Sequence, residues 1–391
     1  MDAITQVCLN ILHQKLNFIT NITTEYDDDF ADEGAKIGDS IRIRLPIQHT
    51  TGTGPTIATG TGADSLQSKV TLQLNTQRHV PMRFTSKEMT LDIDDFRERH
   101  IVPAMSKLAA IMESDALSMI DEVSNTVAAG TKVEFAAILQ ARVKLGQELA
   151  PNDNRCALLD LQANADMVNE LKGLFNDRGE ISKMYKDGAM GHTSNFDFFE
   201  NTLLPSQTSG AEGGGSAYLT NKATAQVGSY TSPNSMSLIV DTGTKTVKEG
   251  DVFTIAAVYS VHPETNTSTG ELRQFTALAD FTGAGTITCS PACIATGPYQ
   301  NCDAGIANDA TLAFIGAAST AYKQSLLFQK GFAAFGTADL VLPPTEKASR
   351  ANYDGISLRL ITDYYDGVKA RLYTRIDVLY GYKVLRPGTA T

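Results

Sequence analysis

The sequence lacks any apolar stretch long enough to cross a membrane, which takes about 20 apolar residues. The longest candidate, Thr311 to Tyr322, is short and rich in Ala, Gly and Thr. Met1 is followed by Asp2, and the first apolar residues are spaced apart instead of forming the apolar core of a signal peptide. We therefore expect a soluble protein that is made in the cytosol.

Basic residues are in deficit. The 33 Lys and Arg stand against 44 Asp and Glu, which gives a formal net charge of −11. Proteins that grip nucleic acid place many Lys and Arg at phosphates. The charge therefore argues against nucleic-acid binding as the main role, although an acidic wall could enclose DNA without holding it.

Cysteines are few and odd in number, and no CxxC pair occurs. The five are Cys8, Cys156, Cys289, Cys293 and Cys302. In a reducing cytosol the favoured interpretation is small buried apolar side chains. The last three, with His262 upstream, could supply four zinc ligands, but their spacing is not that of a standard zinc knuckle.

No catalytic constellation can be assembled from the six scattered histidines. The sharpest lookalike is Asp241-Thr242-Gly243, because aspartic peptidases place a catalytic Asp in such a turn. Two such loops are needed and the chain has one, so a peptidase would have to be a homodimer. The TGTG repeats at 51–54 and 59–62 lack the Gly-Lys-Ser/Thr of a phosphate-binding loop. We predict no enzyme, no cofactor and no metal.

With 391 residues and 42% hydrophobic residues, the chain can build two or three domains with real cores. Residues 3–16 have the periodicity of an amphipathic helix. Such a terminal helix usually joins the core, and the alternative is docking on a neighbour or an assembly partner. Ile4 and Ile11 are its candidate interface residues.

Residues 41–47 alternate as a strand, 50–64 are turn formers, and 69–84 alternate again for an unusual length. This pattern predicts a long hairpin arm, whose apolar face needs something to lie on. The candidate interface residues of the arm are Gly52, Gly54, Pro55, Lys69, Arg78 and Arg83.

Helical periodicity then runs over 94–125, interrupted early by Pro103. Asp94, Asp95 and Glu98 at its start are either favoured by the helix dipole or pair with basic residues of a neighbour's arm. A shorter helix is predicted over 134–149, a strand over 156–161 and a helix over 163–175.

The clearest shift of composition is the linker PSQTSGAEGGGS at 205–216. Residues 217–303 are rich in Thr, Val, Gly and Ser and predict a small all-β module. From 311 the sequence is helix-like again, with apolar residues at 326–328, 332 and 335. The C-terminal stretch predicts strand pairs, with a hairpin turn at Asp366-Gly367. The fold class is therefore α+β, with an inserted β module.

Three segments resemble the coat proteins of short-tailed phages of the P-22 type, within the Hong Kong 97 (HK-97) capsid superfamily. They are FTSKEMTLDIDDFRERHIVPAM (84–105), GDVFTIAAVYSVHPETNTSTGELRQF (250–275) and TRIDVLYGYKVLRP (374–387), in the same order as in that family.

The resemblance implies an HK-97-like fold with a set of named domains. They are an N-arm (1–40), an E-loop (41–86), a P-domain with a spine helix (87–133 and 346–391), an A-domain (134–204 and 306–345) and linkers with an inserted, barrel-like I-domain (205–305). It also implies a major capsid protein that forms pentamers and hexamers of an icosahedral shell around double-stranded DNA. The implied partners are further copies of the chain, a scaffolding protein and a portal, with assembly in the bacterial cytoplasm. The alternatives are a secreted or tail-associated β-rich binding protein and, less favoured, the peptidase using Asp241.

Overall fold

The computed structural model describes residues 2–27, 40–49, 67–85, 100–128, 130, 132–171, 191–210, 216–222, 224–343, 347–366 and 371–391. These residues form two compact units, each assembled from three chain segments. Unit 1 comprises Met1–Arg42, Thr71–Ser118 and Ala333–Lys383, and unit 2 comprises Ile43–Val70, Met119–Phe332 and Val384–Thr391. In the described part of the chain, no helix is long and apolar enough to span a membrane.

Unit 1 is a six-stranded sheet covered by two helices, α1 (Asp2–Lys15) and α2 (Val102–Leu117). Its strands are β1 (Thr23–Asp27), β4 (Thr76–Thr85), β19 (Ala333–Ala338), β20 (Lys347–Tyr353), β21 (Ile356–Asp366) and β22 (Arg371–Val384). They are ordered β1-β19-β22-β21-β20, and β4 also pairs with β22. Helix α1 packs on α2 and β20, which buries its apolar stripe.

The first core of unit 2 is a four-stranded sheet with two helices. The helices are α3 (Phe135–Gln147) and α4 (Leu161–Leu171), and the strands are β5 (Arg155–Leu159), β6 (His192–Thr193), β7 (Phe196–Glu200) and β18 (Leu326–Gln329). Their order is β18-β5-β7-β6. Ile138 and Leu145 of α3 lie in one buried cluster with Met167 of α4 and Phe196 of β7.

The second core of unit 2 is the β module. Its main sheet has the order β16-β12-β13-β15-β10-β9. The strands are β9 (Leu219–Thr220), β10 (Met236–Thr242), β12 (Val252–Val261), β13 (Ser268–Ala277), β15 (Gly285–Ser290) and β16 (Leu312–Phe314). A small pair, β11 (Thr246–Val247) and β14 (Phe281–Thr282), completes it. Alternate residues of β10 are buried, as a strand with one face on a core requires.

Two further strand pairs lie outside these sheets. Strand β8 (Ser206–Thr208) pairs with β17 (Ala321–Lys323), so the predicted flexible linker is in part an ordered strand. Residues 211–215 of that linker lie outside the described residues. Strands β2 (Ser40–Arg44) and β3 (Lys69–Gln73) form a two-stranded sheet at the base of the predicted arm.

The α+β class is confirmed. The inserted β module is present but extends beyond the predicted 217–303, because β16 (Leu312–Phe314) pairs with β12 in its main sheet. Three local predictions are wrong. The helix-like region after 311 contains strands β16 to β19 and only one helical turn, Lys330–Phe332. Strands β18 and β19 are buried almost throughout. A short apolar run of this kind cannot be distinguished from a buried helix by its periodicity.

The second correction concerns the arm. Residues 76–85 form β4, which pairs with β22 over ten residues, Thr76 to Thr85. They therefore belong to the sheet of unit 1 and not to a projecting hairpin. The alternation of 69–84 is continuous because β3 and β4 share the two-residue strand period, so the break between them is invisible in the pattern.

The third correction is the length of the long helix. Its described α-helical part is Val102–Leu117, with Pro103 in the first turn, and gives way to a 3-10 helix at Ser118–Glu122. Proline is tolerated at this position because the first helical N–H groups have no partner in the helix. Residues 94–99 lie outside the described residues, and the helix does not extend to 125.

Candidate assembly surfaces

The apolar face of β3 is covered by the sheet of its own unit. Leu72 and Leu74 are 0% and 4% exposed. A Cβ atom added to Gly336 would lie 2.9 Å from a methyl group of Leu72, and one added to Gly381 would lie 1.9 Å from the carbonyl oxygen of Gln73. The two glycines thus let β3 pack against β19 and β22. These two strands bury the apolar face at the base of the predicted arm.

The candidate interface residues of the arm are only partly described. Gly52, Gly54 and Pro55 lie outside the described residues, and Lys69 is exposed on β3. The arm therefore remains a prediction beyond its base.

The two basic residues of β4 have partners inside unit 1. Arg78 donates to the Asp115 carboxylate at 3.0 Å through Nε, and the guanidinium of Arg83 lies 5.1 Å from the ring centre of Tyr373. Asp115 also accepts the Tyr380 hydroxyl at 2.6 Å. Burial, and then the bond to Asp115, raise the pKa of Tyr380. Asp94, Asp95 and Glu98, the predicted acidic partners of the arm, lie outside the described residues.

Helix α1 places its predicted interface residues differently. Ile11 is 6% exposed and belongs to the apolar stripe that packs within unit 1. Ile4 lies in the helix, and its side chain is outside the described residues. The Glu113 carboxylate of α2 accepts the backbone N–H of Asn17 at 3.1 Å and that of Phe18 at 2.5 Å. These bonds fix the point at which the chain leaves α1.

The β module is joined to the first core of unit 2 along one strand, β13. The Thr276 hydroxyl donates to the Val123 carbonyl at 2.6 Å. The Gln274 amide both accepts from Thr126 N–H at 2.8 Å and donates to Thr126 O at 3.2 Å. The module is therefore held by side chains of β13 that bond the backbone of Val123 and Thr126.

A buried ion pair lies at the same junction. The guanidinium of Arg273, 5% exposed, donates to the Glu148 carboxylate, which is 20% exposed. Lys144 and Glu271 form a second, more exposed pair at 3.0 Å. Burial is the largest single effect on Arg273 and opposes its charged form, but the Glu148 carboxylate together with Cys302 and Cys293 outweighs burial and raises the pKa of the guanidinium. The junction was not predictable because its partners are more than 100 residues apart in sequence.

A third group, at the base of the β module, is acidic. Burial, followed by the nearby Glu249 carboxylate, raises the pKa of Asp121 to about 6. Gly250 lies close by, since a Cβ there would be 3.0 Å from an Asp121 oxygen. The neighbouring Asp251 accepts the backbone N–H of Gly210 at 3.0 Å and that of Lys248 at 2.7 Å, which anchors the incoming linker.

Asp241 and the five cysteines, which the sequence offered as candidate catalytic or metal-binding residues, have structural positions. Asp241 is the penultimate residue of β10, and its side chain accepts the backbone N–H of Thr242 at 2.6 Å. All five cysteines are buried and free of disulfides. Burial raises the pKa of Cys8 and Cys156 to about 11, so they are protonated at neutral pH and poor metal ligands. In the described ranges, no three His, Cys, Asp or Glu residues are grouped as a metal site would need.

The chain is similar to a known protein family and to several solved structures. The family model "P22 coat protein - gene protein 5" matches residues 12–390. The capsid of cyanophage P-SCSP1u is similar, with 11% identity, a TM-score of 0.46, and coverage of 96% of this chain and 86% of that chain. A chain from Mycobacterium phage Che8 has 10% identity, a TM-score of 0.44, and coverage of 96% and 89%.

Another solved structure is similar to about a quarter of the chain. The I-domain of the CUS-3 coat protein has 26% identity and a TM-score of 0.20, and it covers 26% of this chain and 96% of that chain. No curated protein matches the chain significantly.

The family match covers nearly the whole chain, so the chain belongs to the P22 coat protein family. It is a structural, shell-forming major capsid protein, and it assembles with copies of itself as part of the virion capsid. The secreted binding protein and the peptidase are not supported.

Proposed function

We propose that this subunit has an HK-97-like fold and builds an icosahedral shell of pentamers and hexamers around double-stranded DNA. The observation that carries the proposal is the match to the coat protein family over residues 12–390. The paired strands β2 and β3 support it, because they lie where the sequence predicts the base of a projecting arm.

The structural units support a domain assignment. The N-arm and P-domain correspond to α1, α2 and the sheet of unit 1, and the A-domain corresponds to the α3–α4 core of unit 2. The β module corresponds to the I-domain. The E-loop is shorter at its C-terminal side than 41–86, because β4 belongs to the P-domain sheet.

Assembly in the bacterial cytoplasm proceeds with a scaffolding protein and a portal, and the subunit itself does no catalysis. Each contact between subunits is weak, so that wrongly placed subunits can dissociate. The closed shell is stable because every subunit makes several such contacts. The net charge of −11 suits a wall that encloses DNA without binding it.

Sedimentation velocity and electron microscopy of the recombinant chain, alone and with coexpressed scaffolding protein, test this proposal. We expect hollow polyhedral particles of hundreds of subunits in the coexpressed sample. A stable dimer in both samples would refute it.

A further inference from the structure

At the base of the arm, two backbone groups of β2 and β3 and their flanks are bonded to one group outside the strands. Leu45 N–H donates to the Ser68 carbonyl at 2.9 Å, which joins the two strands directly. Beside this bond, the Ser68 N–H and the Pro46 carbonyl both have a partner that belongs to neither strand.

The Tyr299 side chain of the β module supplies that group. Ser68 N–H donates to the Tyr299 hydroxyl oxygen at 3.2 Å, and the hydroxyl donates to the Pro46 carbonyl at 3.3 Å. A hydroxyl has one proton to donate and two lone pairs that accept, so one tyrosine can join both strands. All three residues belong to unit 2.

Tyr299 is itself held firmly within the module. Its loop is closed by Asn301, whose side chain accepts Ile294 N–H at 2.8 Å and donates to Ala292 O at 2.7 Å. The ring stacks on Tyr230, with centroids 6.1 Å apart and planes 10° apart. The hydroxyl is therefore presented from a fixed support.

The segment that carries Tyr230 is tied to the same support. Gly228 N–H donates to the Cys293 carbonyl at 2.6 Å. A Cβ at Gly228 would lie 2.5 Å from that of Ala292, so this close approach needs glycine. The two stacked rings thus move with one loop.

We propose that Tyr299 is a positioning residue for shell assembly, which joins the two strands at the arm base and ties them to the β module. The inference rests on the proposed function, in which copies of this chain build the shell.

The test is Tyr299→Phe, which removes the hydroxyl and keeps the stacked ring. The matched control is Tyr230→Phe, which removes the same atom from the other ring, where the hydroxyl has no hydrogen bond to a described residue. Hydrogen exchange of the full-length subunit should be about tenfold faster at Ser68 in Tyr299→Phe alone, because net hydrogen bonds of this kind change opening equilibria by about that factor.

The same variants are then assembled with coexpressed scaffolding protein and imaged. We expect normal shells from wild type and Tyr230→Phe, and from Tyr299→Phe a several-fold lower yield with aberrant particles. Wild-type exchange at Ser68 together with normal shells from Tyr299→Phe would overturn this proposal and leave the proposed function intact. Failure of wild type to form shells would overturn both. Equal defects in the two variants would also overturn it, because the hydroxyl of Tyr299 would then have no special part.

Discussion

The ion pair between Arg273 and Glu148 predicts that substituting one partner lowers the free energy of unfolding more than substituting the other. Its two side chains are 5% and 20% exposed, respectively. Removing one member of a buried pair costs about 3–5 kcal/mol when the other charge is left without water. Glu148→Gln leaves the more deeply buried guanidinium, whose Nε has no hydrogen-bond partner among the described residues. Arg273→Met leaves a carboxylate that water can reach.

We therefore expect Glu148→Gln to lower the free energy of unfolding by about 3 kcal/mol and Arg273→Met by about 1 kcal/mol. The double variant should resemble Arg273→Met, which implies a coupling energy of about 3 kcal/mol. Urea unfolding of the monomeric subunit measures these values. It is followed by tyrosine fluorescence, since the chain has 13 Tyr and no Trp. Equal costs for the two single variants, or simple additivity, would refute the reasoning.

Three further predictions follow from buried positions and can be measured by urea unfolding. Gly381→Ala places a Cβ 1.9 Å from the Gln73 carbonyl oxygen and should lower the free energy of unfolding by about 2 kcal/mol or more. The control, Gly146→Ala in α3, has open space around it and should be neutral or stabilising by up to about 1 kcal/mol. Equal effects of the two substitutions would contradict the packing of β3. The pKa of Asp121 is raised from 3.8 to about 6, so the folded protein favours the protonated carboxyl. The resulting stabilisation of the fold is complete below about pH 4 and is lost as pH rises through 6. Asp121→Asn should thus be about 1 kcal/mol more stable than wild type at pH 8, after allowance for partial exposure, and this difference should vanish near pH 4; a constant difference across this range would count against it. Phe253→Ala, at a fully buried position of the β module, should cost about 3–5 kcal/mol, and a cost below 1 kcal/mol would show that this core is misplaced.

Elements with local signals were predictable from the sequence. The helix predicted over 134–149 is Phe135–Gln147, and the strand predicted over 156–161 is Arg155–Leu159. Both have a periodic apolar pattern of sufficient length. The hairpin strands at the C-terminus were also predicted, and a further turn at Asp354-Gly355 has positive φ at both residues. That turn carries the Asp-Gly signal of a tight hairpin and could have been found by it.

Elements that depend on distant partners were not predictable. Strand β19 reads as AAFGTA, and helix-forming alanines conceal a strand that is buried on both faces. The role of Gly381 depends on its contact with Gln73, which is far away in sequence. The role of Tyr299 likewise depends on its contact with the distant Pro46. In each case the local residue is ordinary, and only the close approach of another segment gives it meaning.

The interleaving of the two units also constrains how the subunit can be made. The chain passes between them at 42/43, 70/71, 118/119, 332/333 and 383/384. Thr391 exchanges backbone hydrogen bonds with Leu327 in unit 2, at 2.8 and 2.9 Å. Unit 1 therefore cannot finish folding on a ribosome until residues 333–383 have been translated, and unit 2 cannot until residues 384–391 have followed. A growing chain that lacks these segments has neither unit complete, so it cannot contribute a finished subunit to a shell.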